Sequence, residues 1–193
     1  VAAIQMYNNF RSSSIPIPMS FVGYATKAVL ILEFSPTIIS VVLAGKVGSY
    51  ITSSIGTMRV TEQIDALDIM GVNSANLLIL PKILASLVFN PLLIAISIVF
   101  GIWGGYLAGI GTGSWSAADY ITGIQMYMPS HFIWYAFFKT AVFAFLIATI
   151  PAYFGYNVKG GSLEVGRAST QAVVWTIVAV IITNLVLTQM FLS

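Results

Sequence analysis

The sequence predicts an all-α protein that crosses a membrane several times, and three observations carry that expectation. Ala, Val, Ile, Leu, Met, Phe, Trp and Tyr make up 58% of the 193 residues, and mean hydropathy is +0.93. Only fourteen residues are charged, eight Lys or Arg and six Asp or Glu, which is 7% against about 25% in an ordinary soluble domain. The charges are also unevenly spread. Between Lys82 and Asp119 lie 36 uncharged residues, between Lys139 and Lys159 nineteen, and after Arg167 the last 26. A hydrocarbon core about 30 Å thick is crossed by roughly 20 apolar residues in a helix. No run alternates apolar and polar residues as a barrel strand does.

These runs place four full spans at about 29–52, 80–110, 131–155 and 169–191. Residues 1–8 read as the tail of an earlier span, so the chain, beginning at Val1 within an apolar stretch, is expected to be a piece of a longer protein. Residues 11–20, with Pro16 and Pro18, read as a turn, and 21–27 as an interfacial or re-entrant stretch. Pro36, Pro91 and Pro151 fall within spans, where each removes a backbone hydrogen bond. No internal repeat or linker divides the chain, which reads as one transmembrane domain over 1–193.

Lys and Arg near the span ends set the orientation. Lys46, Arg59, Lys82, Lys159 and Arg167 lie at or near the 53–82 and 156–168 connections, against Arg11 and Lys27 on the other side. Five against two puts 53–82 and 156–168 in the cytoplasm. The composition excludes a cytosolic enzyme and a nucleic-acid binder, which would need a basic face. Cysteine is absent, which excludes disulfides, a thiolate nucleophile and Cys-ligated metal. His131 is the only histidine, and it reads as an interfacial residue because no ordinary zinc site can be built around it.

The most informative stretch is 57–70, TMRVTEQIDALDIM, which holds Arg59, Glu62, Asp65 and Asp68. Glu62, Asp65 and Asp68 recur every third residue, while Val60, Ile64, Leu67 and Gly71 mark the other face. This pattern predicts a short amphipathic helix, stopped near Gly71 and Asn73. It could float in the headgroups, but an acidic face is repelled by anionic cytoplasmic lipid, so a basic groove on a protein partner suits it better.

GTMRVTEQIDALDIMGVN, preceded by AGKVGSYITSSI and followed by LILPKILA, FGIWGGYLAG and GYNVKGGSLEVGRASTQAVV, resembles the permease subunit of the MlaE family. Those permeases belong to ABC transporters that move phospholipid with MCE-domain partners. The likeness runs from about Glu33 to the C-terminus. It implies five membrane helices per subunit, the first truncated here, and a homodimer in the bacterial inner membrane with one ATPase subunit beneath each permease. It also implies that 57–70 is the coupling helix, with Arg59, Glu62, Gln63, Asp65, Leu67, Asp68 and Met70 meeting the ATPase. The chain is then a non-catalytic permease without a cofactor, and ATP with Mg belongs to the partner ATPase. No GxxxxGK(S/T) string occurs here.

Departures from the family pattern fall in the first full span. Leu32-Glu33-Phe34-Ser35-Pro36 stands where members often have Arg-Glu-Leu-Gly-Pro, and Ser53-Ser54 where they often have Ala-Glu. Glu33 is expected to line a lipid path with Ile38, Val41 and Val42, or else to be an interfacial acid paired with Lys27 or Arg11. Lys139 is expected to snorkel outward. Gly101, Gly105 and Gly109, a GxxxGxxxG face, are expected to pack helices closely. The competing function is a stand-alone ion-coupled carrier or channel, which would want several intramembrane charges. An intramembrane enzyme lacks any GxSxG or HExxH string here.

Overall fold

The computed structural model describes residues 2–12 and 18–192. The chain is helical along almost all of that length: α1 (Ala2–Ser12), α2 (Ser20–Val60), α3 (Gln63–Ile69), α4 (Ser74–Leu78), α5 (Leu80–Thr112), α6 (Ala117–Gln125), α7 (Ser130–Tyr156) and α8 (Ser162–Leu192). Four stretches are long and apolar enough to cross a membrane, Ser20–Val60, Ser74–Thr112, Ser130–Tyr156 and Ser162–Phe191. They contain the four spans read from the charge-free runs. The turn expected at 11–20 falls mostly on 13–17, outside the described residues. The 21–27 stretch forms the first turns of α2, where Phe21 and Val22 start the helix on the carbonyls of Pro18 and Met19.

α2 is one helix interrupted by two wider π-helical turns, Leu30–Phe34 and Ala44–Gly48. The first has a chemical cause. Pro36 has no N–H and its ring crowds the carbonyl four residues back, so the helix widens just before it, and Ser35 N–H bonds to Leu30 O five residues away. Glu33 lies in this turn and Lys46 in the second.

The residues pack as two units, each assembled from separate stretches of sequence. One comprises 1–36 and 93–137. Its core is Ala3, Val22, Trp115 and Tyr120, with Tyr7, Phe10, Ile102, Tyr106 and Ile124 around it. Trp115 stacks on Tyr120 at 6.2 Å, and the buried Tyr120 hydroxyl donates to Ile102 O at 3.1 Å. Burial pushes the Tyr120 phenol up to about 12, so it remains a neutral donor throughout the physiological range.

α6 is held at both ends. The Ser116 side chain accepts from the N–H groups of Ala118 and Asp119 at its start. At its finish Lys27 Nζ donates to Ile124 O at 2.8 Å and Met126 O at 2.7 Å. An ammonium suits the negative end of a helix, so Lys27 closes α6 and is not reserved for Glu33. Lys27→Met is expected to leave both carbonyls without their donor and to cost about 1–3 kcal/mol. Limited proteolysis should then cut within 117–126 faster than in wild type, and an unchanged cleavage rate would deny Lys27 this role.

The other unit comprises 37–92 and 138–193. Ile51, Ile55, Ile64, Ala148 and Ala152 form its core, lined by Val47, Met58, Leu78, Ile79, Ile83 and Tyr156. Gly155 lets α7 lie against α2, since a Cβ there would come within 2.8 Å of Thr52 O. Two buried hydroxyls inside it are matched, Thr52 Oγ1 donating to Pro151 O at 2.9 Å and Ser86 Oγ to Ala144 O at 3.0 Å. Ser40 Oγ and Asn90 Nδ2, by contrast, are buried without a hydrogen-bond partner among the described residues. Lys139 is completely buried in this unit, with Nζ 6.0 Å from the Phe143 ring centre. The snorkelling expectation is thus corrected, because the side chain is enclosed and does not reach outward.

Candidate functional site: the helix between the first two described spans

The segment 57–70 does not form the single helix expected. Residues 57–60 belong to α2, which stops when Thr61 leaves helical geometry and Glu62 turns left-handed at φ 59°. α3 starts afresh, with Ala66 N–H bonding to Glu62 O at 3.0 Å. A left-handed non-glycine residue costs on the order of 1–2 kcal/mol, so this corner is held by its surroundings rather than by preference. One holder is the Arg59–Asp65 ion pair, 2.6 Å across the corner, with Arg59 also 5.9 Å from the Tyr156 ring. Glu62 therefore does not share a helical face with Asp65 and Asp68; only those two lie together on α3. The stop is as expected: Gly71 is left-handed at φ 77°, and Val72 N–H reaches back to Leu67 O at 3.1 Å. Asn73 then caps α4 through Asn76 N–H at 3.1 Å.

One residue anchors the short helix. Ile64 is completely buried in the core of its unit, and Leu67 is half-buried one turn on. Gln63, Asp65, Ala66 and Asp68 are exposed. The exit is apolar and unshielded, with Ile69 87% and Met70 68% exposed. Met58, Gln63, Ile64, Leu67, Met70 and Leu78 line a shallow, mostly apolar groove of about 240 Å³ beside α3. The element thus presents two carboxylates, a bare apolar tip and a groove on one firmly seated turn of helix. Sequence reasoning placed Leu67 and Met70 in this surface but passed over Ile69 and the anchoring role of Ile64.

The residues read as a lipid path divide between the units. Glu33 is half-buried in the first π-helical turn of α2. Ile38 and Val42, four residues apart, are exposed on α2, and Val41 between them is half-buried. Lys46 and Tyr50 continue the exposed i, i+4 row.

The GxxxGxxxG face serves packing by a different contact from the one expected. Gly101 receives the Leu30 side chain, Gly105 the Tyr120 hydroxyl and Gly109 the Trp115 indole, so these glycines seat large side chains. The close backbone approach lies elsewhere, where Gly23 of α2 meets Gly123 of α6. Nothing in the spacing of those two, a hundred residues apart, signals it.

Among the described residues, four long apolar helices, with a short amphipathic helix set between the first two, define a multi-pass helical membrane protein. The chain belongs to the MlaE permease family, whose model, described as Permease MlaE, matches residues 1–190. It is 36% identical to a probable ABC transporter permease protein of Rickettsia bellii over 99% of this chain and 73% of that relative. It is 30% identical to the intermembrane phospholipid transport system permease protein MlaE of Haemophilus influenzae over 82% of this chain and 61% of that relative. It is 33% identical to the chloroplastic TRIGALACTOSYLDIACYLGLYCEROL 1 protein of Arabidopsis thaliana over 82% of this chain and 45% of that protein.

Proposed function

We propose that this chain is the membrane-spanning subunit of an ABC transporter that moves phospholipid between the bacterial inner membrane and the periplasm or outer membrane. The observation that carries the reading is α3, a seated helix whose apolar tip, Ile69 and Met70, stands exposed beside the Asp68 carboxylate. A stand-alone carrier has no need of such an element, whereas a permease driven from outside does. The name of the Haemophilus influenzae relative supports phospholipid as cargo.

In this reading a separate ATPase binds ATP and Mg and docks on α3. The permease itself does no bond-making chemistry and needs no cofactor. A second copy of the chain completes the lipid path along the exposed Ile38 and Val42 row, and an MCE-domain protein receives or delivers lipid on the far side. Acyl chains find apolar contact along that row, and Glu33 supplies a polar group for headgroups.

The test is lipid transfer by proteoliposomes holding the complete complex, with and without ATP. ATP-independent transfer at the full rate would favour the carrier reading. Glu33→Lys is expected to reduce transfer at least tenfold with the complex still assembled, and Glu33→Gln by less than threefold. Wild-type transfer by the Lys variant would make Glu33 an interfacial anchor only.

A further inference from the structure

We propose that a pocket where α7 passes into α8 binds the headgroup of an anionic phospholipid, at a site separate from the transport path. The pocket measures about 430 Å³, and its walls include Tyr153, Phe154, Lys159, Arg167, Ala168 and Gln171. All of these belong to one packed unit, and none lies on the α2 row assigned to transported lipid.

Charge and depth together identify the ligand. Lys159, Glu164 and Arg167 all line the pocket, and Arg167 Nη1 meets Glu164 at 2.8 Å, leaving a net charge of +1 (two cations, one anion). That ion pair is open, with the Arg167 side chain 66% exposed, and it occupies one of five guanidinium donors. Among the described residues no carboxylate pairs with Lys159. A single phosphate diester fits two such cations, one as a point charge and one as a fork.

One side of the pocket is apolar, which favours a lipid over a soluble phosphate. Tyr153 and Phe154 close the last turn of a membrane-spanning helix, and Gln171 lies nine residues, or about 14 Å, into the next. Beyond them Val174 and Trp175 are exposed apolar residues on α8. A phosphate held by Lys159 and Arg167 would sit at the headgroup level, with its acyl chains running along that surface. A soluble anion would leave the apolar part empty. Basic pockets between spanning helices on the cytoplasmic side are recurrent headgroup sites, and the charge count puts this loop on that side.

The experiment is native mass spectrometry of the full complex in detergent, titrated with dioleoyl phosphatidylglycerol, dioleoyl phosphatidylcholine or glycerol 1-phosphate. One phosphatidylglycerol per permease is expected to bind at least fivefold more tightly than phosphatidylcholine. The double variant Lys159→Gln with Arg167→Gln should lose that preference, Lys159→Arg should keep it, and Arg11→Gln, on α1, controls for loss of an exposed cation elsewhere. If the double variant fails to assemble, Lys159→Gln alone, which breaks no ion pair, is expected to weaken phosphatidylglycerol two- to threefold. Undiminished phosphatidylglycerol binding by these variants would overturn the proposal. So would displacement by glycerol 1-phosphate at matched concentration, which would reassign the pocket to soluble phosphates. No transfer assay enters, so failure here is distinct from failure of the transport reading.

Discussion

Ile69→Asp is expected to strip the ATPase from the complex while leaving the permease folded. Ile69 is 87% exposed, so the substitution removes little contact within the chain. In a docked complex the same side chain would be buried, where an isoleucine contributes about 1.5–3 kcal/mol. An aspartate in its place loses that and adds an unpaired buried charge, so docking should weaken by a factor of at least about 100, at 1.4 kcal/mol per tenfold. Ile64→Asp gives the contrasting result. Ile64 is fully buried in the core beneath α3, so that variant should unseat the helix and destabilise the permease itself. Co-purification of the ATPase, scored beside protease resistance of the permease alone, separates the two. Normal ATPase recovery with Ile69→Asp would remove α3 from the docking surface. Asp65 is a poorer probe, because reversing its charge also breaks the pair with Arg59 at the Glu62 corner.

Gly123→Val should be the most damaging single glycine substitution in the unit formed by 1–36 and 93–137. Even a Cβ at Gly123 would overlap Ser20 O and lie 2.9 Å from Gly23 Cα, and those neighbours are backbone that no rotamer change can move aside. Forcing α2 and α6 apart is expected to cost about 3 kcal/mol or more, at the upper end of overpacking penalties. Gly104→Ala is the open-space reference, since nothing lies within 4 Å of its Cβ position. It should leave stability unchanged or raise it by up to about 1 kcal/mol, as alanine favours the helix. Thermal unfolding in detergent compares them. A Gly123→Val midpoint equal to that of Gly104→Ala would show that α6 does not approach α2 this closely.

How far the sequence alone reached follows from which forces are local. The four long helices were legible because the length of an apolar, uncharged run is set by bilayer thickness, a property of the surroundings that no side-chain neighbour changes. The stop at Gly71 and the cap at Asn73 were legible because backbone freedom and a side-chain acceptor act within one turn. The amphipathic character of 63–69 was legible from the spacing of Ile64 and Leu67 against Asp65 and Asp68.

Tertiary structure decided what depends on distant residues. The corner at Thr61 and Glu62 is unfavourable locally and stands because Arg59 reaches Asp65 while Ile64 is drawn into a core built from α2 and α7. Lys139 reads as an outward-facing cation until packing buries it completely. Lys27 reads as a partner for Glu33 until α6, nearly a hundred residues on, presents two carbonyls at its ammonium. The GxxxGxxxG row reads as a helix contact until Leu30, Tyr120 and Trp115 fill it, and the true backbone contact falls to Gly23 and Gly123. A sequence records which residues can be buried or can approach closely; which partner arrives depends on chain segments brought together only by packing.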